Sequence, residues 1–312
     1  MSTGTTVNRQ TRLWIALGIN VALVAGEVVG GLAAHASALL ADAGHNLTDV
    51  AGLAAAVFAL RWAARPRNES RSFGNHRATI LAALFNAVAL AVVTVTIVIL
   101  SIERVVHPET VNGTPLAIVA GIALVTNLVA AGVLHDRSAD LNMRAAMVHM
   151  SADAMSAALA LAAGVVILVA GHRADLADPA ASLGVSLMII FQAYRLVRAS
   201  VDVLLESTPA DVDLVALRSA ITGVDGVSEV HDLHVWSLSS EFRALSAHLV
   251  LDGHPTLEEA QALGDLVRSA VAVPFALAHT TLELECERCT DVDDPCAVDG
   301  LTGPIVVRGS TG

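Results

Sequence analysis

Residues 37–49 run Ser37-Ala38-Leu39-Leu40-Ala41-Asp42-Ala43-Gly44-His45-Asn46-Leu47-Thr48-Asp49, and residues 145–153 run Ala145-Ala146-Met147-Val148-His149-Met150-Ser151-Ala152-Asp153. Each stretch sets a His and an Asp four positions apart inside a long apolar segment. On a helix, positions i and i+4 share a face, with Cβ atoms about 5–6 Å apart. Each pair therefore offers one imidazole nitrogen and one carboxylate oxygen to a single point. Ionisable groups deep in an apolar span are costly, on the order of 2.5–3.5 kcal/mol for Asp, so they should be few and partnered. Two identical pairs on two facing helices supply four ligands: His45, Asp49, His149 and Asp153. Two nitrogens and two oxygens in a tetrahedron suit Zn2+, with bonds near about 2.0–2.2 Å. Two carboxylates neutralise a divalent ion and so offset most of its desolvation penalty. When the ion leaves, the same groups take up protons. The expected chemistry is metal in one direction and protons in the other.

The surrounding chain is membrane material. Apolar residues make up 54% and charged residues 15%, against roughly 45–50% and about 25% in soluble domains. Spans of about 20 apolar residues are needed to cross the hydrocarbon core. Candidates are residues 12–34, 37–60, 78–101, 114–134, 145–170 and 180–200, separated by short polar breaks such as Arg65-Pro66-Arg67 and His107-Pro108-Glu109. The first is too long and too polar, with Asn20 and Glu27, to be a cleaved signal core ending at Ala34-His35-Ala36. All 18 basic residues are Arg. Eleven of them flank the N-terminus, the loops after spans two and four, and the end of span six, while the opposite loops hold only Arg104 and Arg173. Both termini are therefore expected in the cytoplasm of a multi-pass protein of the cell's inner (plasma) membrane.

The charge divides with the chain. Residues 1–205 hold 13 Arg and 12 acidic residues, whereas residues 206–312 hold 5 Arg and 18 acidic residues, for an overall −12. An acidic soluble domain attracts cations and repels nucleic acid, so no nucleic-acid partner is expected. The order after residue 207 reads helix (Val212–Ile221), strand (Val227–Leu238), strand (Phe242–Leu251), helix (Thr256–Val271) and strand (Leu277–Glu285). That is a small two-layer α+β domain of αββαβ order. The boundaries expected are 1–207 for the membrane domain, 208–286 for the cytoplasmic domain and 287–312 for a flexible tail.

Adjacent strands of that domain can bring together His231, His248 and one residue of the third strand, either His279 or Glu285. His234, three positions after His231, should face the other side of the sheet. Cys286-Glu287-Arg288-Cys289 has the spacing of a zinc knuckle; flexible-tail thiols are the alternative. Asp42 reads either as a vestibule group or, the favoured reading, as a residue ending its helix. His76 reads as a solvated loop residue. Glu27, Asn86 and Asn127 are span polar groups able to bridge helices or line a water path.

The run Ser37–Asp49 resembles the second-span signature of the cation diffusion facilitator family. Asp140-Leu141-Asn142-Met143-Arg144-Ala145-Ala146 leading into His149 and Asp153 resembles its fifth-span signature. Arg77–Ala87 resembles the start of its third span, and Leu204-Leu205-Glu206-Ser207-Thr208-Pro209 its junction to the cytoplasmic domain. The likeness spans about residues 10–286. It implies a homodimeric exporter of Zn2+ working by proton antiport, with a ferredoxin-like cytoplasmic domain that binds regulatory metal and helps dimerise. The His-x-x-x-Asp form of both pairs resembles the zinc-selective branch, with Cd2+ or Co2+ as further candidate cargo. His231 and His248 match the family's regulatory ligands, and a terminal Cys-x-x-Cys resembles one that completes a site in some members. No organic cofactor is expected. A membrane metallohydrolase would need an open water position and a general base, and neither pair carries an adjacent Glu. A metal-sensing receptor, binding without translocation, is the other competing reading.

Overall fold

The structure is a computed structural model that describes residues 9–135, 141–240 and 242–287. Six long helices come first: α1 Arg9–Ala34, α2 Ser37–Ala63, α3 Ala78–Val106, α4 Gly113–His135, α5 Leu141–Ala170 and α6 Ala177–Leu204. They end where the sequence forbids continuation, as at Gly171 with its φ of +64° and at the His107-Pro108 break. Among the described residues α2 to α6 are long and apolar enough to cross a membrane, and α1 contributes a shorter apolar stretch, Val21–Ala34.

The chain divides into two compact units. One holds the chain up to Arg65 together with Leu81–Ser200, and the other holds Pro66–Ile80 with the chain from Val201 onward. In the first unit small residues bring backbones close, as is usual for helices packing in lipid. A Cβ on Gly164 would meet the backbone nitrogen of Ala117 at 2.8 Å, and one on Gly113 would meet the carbonyl oxygen of Gly164 at 2.9 Å. An alanine-rich cluster, including Ala38, Leu39, Leu116, Ala120, Ala160 and Ala163, joins α1, α2, α4 and α5. A second cluster of Ala41, Leu90, Ile97, Val185 and Ile189 joins α2, α3 and α6.

α2 is capped from far away in sequence. Its N-cap, Ala36, has no side chain able to cap. Asp178, fully buried in the first turn of α6, does so instead. Its carboxylate accepts hydrogen bonds from Ser37 N and Ser37 Oγ, both 2.7 Å, and from Ala38 N at 3.0 Å. Arg104 of α3 lies 3.7 Å from the same carboxylate.

The second unit contains α7 Leu214–Thr222, β1 Val227–Ser237, β2 Arg243–Leu251, α8 Leu257–Ala272 and β3 Leu277–Glu285. This is the αββαβ order expected. Asp213 caps α7 through Val215 N and Ala216 N, and a Thr256–Glu259 capping box opens α8. The sheet order is β1-β2-β3, with β1 antiparallel and β3 parallel to the central β2. Leu245, Ala247, Leu249 and Leu251 of β2 face the core shared with Leu217, Ile221, Val267 and Val271 of the two helices. Ala244, Ser246 and His248 therefore lie on the opposite face of the sheet.

Within this unit the Pro66–Ile80 loop makes ring contacts that the sequence did not show. His76 stacks on Phe242 at 4.7 Å, and Phe73 meets His279 edge-on at 5.5 Å. His76 is thus a packed, half-buried residue rather than a solvated one.

Candidate metal centres

The helix spacing works as the sequence requires. His45 and Asp49 project from one face of α2, and His149 and Asp153 from one face of α5. His45 Nε2 lies 3.6 Å from Asp49 Oδ2 and 3.4 Å from Asp153 Oδ1. His149 Nε2 lies 3.2 Å from Asp49 Oδ2 and 3.7 Å from Asp153 Oδ2. A tetrahedron with bonds of about 2.0–2.2 Å has edges of about 3.3–3.6 Å. The four nitrogen-to-oxygen separations, 3.2–3.7 Å, bracket that length, with His45 facing Oδ1 of Asp153 and His149 facing its Oδ2. His45, His149 and Asp153 hold ligand atoms within 4.8 Å of one another, and Asp49 lies outside that set while approaching both imidazoles through Oδ2.

The site is unevenly buried. His45 is 2% exposed and Asp153 3%, whereas the side chains of His149 and Asp49 are 39% and 29% exposed. His45 and Asp153 form a closed layer; His149 and Asp49, one turn further along α2 and one turn back along α5, form an open one. Among the described residues, Asp49 Oδ2 and Asp153 Oδ1 have no hydrogen-bond partner apart from the imidazoles they face. Buried carboxylate oxygens are otherwise almost always satisfied, so these donors have the character of ligands.

Asp42 does not end a helix. It is the sixth residue of α2 and 1% exposed, and Glu27 of α1 is likewise fully buried. Glu27 accepts a hydrogen bond of 2.9 Å from Asn46 Nδ2, bridging α1 to α2. The sequence marked Glu27 only as one polar group among several, because its partner comes from another helix.

In the second unit, His231 and His248 are directly paired across β1 and β2, with ring centroids 5.2 Å apart. Glu285 bridges them: its Oε1 lies 2.7 Å from His248 Nδ1 and its Oε2 3.2 Å from His231 Nε2. These three hold ligand atoms within 4.8 Å of one another. Asp232 and Glu283 approach His248 Nε2 at 3.5 and 3.4 Å. His279 is not brought to the cluster. It pairs with Ala244, four residues from His248 on the same face, or about 13 Å at the strand rise of about 3.3 Å.

His234 corrects the expectation of an opposite face. The β1 register slips between His231 and His234, where Asp232 adopts a left-handed φ of +47°. The bulge returns His234 to the face of His231, opposite Ser246. There it is exposed and pairs with Asp232 at 2.8 Å rather than joining Glu285. Cys286 is exposed just past β3, and Cys289 lies outside the described residues.

A bundle of apolar helices in which two His-x-x-x-Asp faces meet, followed in the chain by an acidic α+β domain with its own His–Glu cluster, is the arrangement of a multi-pass membrane transporter of metal ions rather than an enzyme. Residues 13–205 match the cation efflux transmembrane domain and residues 209–287 the cytoplasmic domain of cation efflux proteins. The chain belongs to the cation efflux family. It is 35% identical to the zinc transporter ZitB of Escherichia coli (strain K12), over 92% of this chain and 90% of that protein. It is 33% identical to the cadmium, cobalt and zinc/H(+)-K(+) antiporter of Bacillus subtilis (strain 168), over 84% of each. It is also 33% identical to the metal cation efflux system protein CzcD of Cupriavidus metallidurans, over 90% of this chain and 88% of that one.

Proposed function

We propose that this protein exports Zn2+ from the cytoplasm across the plasma membrane in exchange for protons, through His45, Asp49, His149 and Asp153. The observation that carries the reading is the set of four nitrogen-to-oxygen separations of 3.2–3.7 Å between two His-x-x-x-Asp faces. Two carboxylates balance the charge of the cargo, and two neutral imidazoles favour a borderline ion over a hard one. Cd2+ and Co2+ fit the same donors, in keeping with the named cargo of the Bacillus relative. Proton exchange follows because four donors deprotonated to hold a cation are refilled by protons when it departs.

With both termini in the cytoplasm, as the arginine distribution indicates, α2 runs inward and α5 outward. The half-exposed Asp49–His149 layer then faces the cytoplasm and the closed His45–Asp153 layer faces out. That is the geometry of a site loading from inside. His231, His248 and Glu285 bind metal in the cytoplasmic domain, where it acts as a regulatory ion, and this domain (residues 208–286) pairs two copies of the chain into a homodimer.

The test is proton flux in proteoliposomes on addition of Zn2+, alongside zinc uptake. Both are expected with the wild type, and both are abolished by His45→Ala or Asp153→Ala. Metal flux without proton flux would refute the antiport, and unchanged flux in the variants would refute the site.

A further inference from the structure

Beyond the four donors, the first unit holds two more carboxylates that its packing does not explain. Glu27 is fully buried and Asp42 is 1% exposed. Among the described residues, Glu27 Oε1 and both oxygens of Asp42 are without a hydrogen-bond partner. Leaving such a group unsatisfied costs about 1–3 kcal/mol, and more when it is charged. His45, three residues on from Asp42, already has its Nε2 facing Asp49 and Asp153. Asp42, His45, Asn46 and Asp49 fall at i, i+3, i+4 and i+7, one continuous face of α2. Asn46 fixes Glu27 by donating to Oε2 at 2.9 Å, which leaves Oε1 free beside that face. Ionisable groups buried in a span mark substrate, ion or proton pathways.

We propose that Glu27 and Asp42 form a second, oxygen-only subsite for the divalent cargo, one helical turn beyond His45 toward the Ser37 end of α2. The inference rests on the transport reading above and deepens it. With both carboxyls deprotonated the subsite supplies two negative charges, which balance a divalent ion as the four-donor site does. It lacks imidazole, so it holds a borderline ion less tightly. An ion leaving the nitrogen-containing site thereby meets a weaker, charge-matched station instead of an apolar wall. Asn46 is a positioning residue that keeps Glu27 turned toward Asp42.

The direct test uses wild-type crystals of the full chain soaked in millimolar Cd2+, with anomalous difference maps. Two peaks are expected in the membrane helices: one among His45, Asp49, His149 and Asp153, and a weaker one between Asp42 and Glu27. A peak at the first position alone overturns the subsite and leaves the transport site standing. Absence of a peak at the first position overturns the transport site itself. In proteoliposomes, Glu27→Gln and Asp42→Asn are each expected to lower the maximal Zn2+ export rate about tenfold or more, while equilibrium binding at the four-donor site changes less than about threefold. Asp42→Glu is expected to restore part of the rate. Wild-type rates in both neutral variants, or loss of equilibrium binding equal to that of Asp153→Ala, would refute the proposal.

Discussion

Asp153→Asn and Asp49→Asn remove the same chemistry, one anionic oxygen replaced by a neutral one of equal size, yet the structure assigns them unequal consequences. With neutral imidazoles, two carboxylates and a divalent cation, the loaded site is uncharged. Either substitution leaves it with one net positive charge. At Asp153, 3% exposed, no water reaches in to compensate. Stranding a buried charge by removing its partner costs about 3–5 kcal/mol, or about 150- to 4,000-fold in affinity at about 1.4 kcal/mol per factor of ten. Asp49 has a side chain 29% exposed, where water can supply an oxygen and screen the charge. A loss of about 1–2 kcal/mol, roughly five- to thirtyfold, is expected there. The assay is calorimetric Zn2+ titration of purified protein carrying His248→Ala, so that the cytoplasmic cluster does not contribute. Equal losses at the two positions, or a larger loss at Asp49, would refute the link drawn here between burial and affinity.

Three further outcomes are expected. Asp178→Ala removes three hydrogen bonds at the start of α2 and should destabilise the protein by about 1–2 kcal/mol as a lost helix cap; a lower melting temperature of the detergent-solubilised protein checks it, and an unchanged one contradicts it. His231→Ala and Glu285→Ala should each abolish metal binding by the cytoplasmic domain in a titration of protein lacking the membrane ligands, whereas His279→Ala should not, because it lies about 13 Å along the strand from His248. Two hydrogen bonds from Arg243 to Asp211, 2.8 and 2.9 Å long, hold the Asp211 carboxyl below its ordinary range. A depressed folded value gives stability that is present above the unfolded carboxylate pKa and is lost as pH falls through the folded value. Asp211→Asn should therefore lower stability at neutral pH slightly, by about 0.5 kcal/mol or less for so exposed a pair, and the difference should vanish in acid; a difference that grows in acid would reverse the sign.

What the sequence revealed and what it hid follow one physical division. The membrane helices were legible because bilayer thickness sets their length, and the meeting of the two His-x-x-x-Asp faces because i,i+4 spacing fixes which side chains share a face. His45, Asp49, His149 and Asp153 each needed only one local rule and one assumption, that two similar faces meet. The missing features all depend on partners that no local rule supplies. Asp42 looked like a helix end, whereas it is the buried sixth residue of α2. Asp178 gave no sign of capping a helix 140 positions away. Alternation in β1 predicted opposite faces for His231 and His234, and failed because one residue, Asp232, takes a left-handed conformation and inserts a bulge. His231 and His248 could be foreseen as neighbours once strand order was known, but the choice between His279 and Glu285 needed the parallel register of β3, which places Glu283 beside His248 and carries Glu285 onto the same face two residues on. Periodicity thus determines which residues can act together on one element. Register and helix contact determine which elements they act with, and in a transporter that second choice fixes where a charged cargo finds its oxygens.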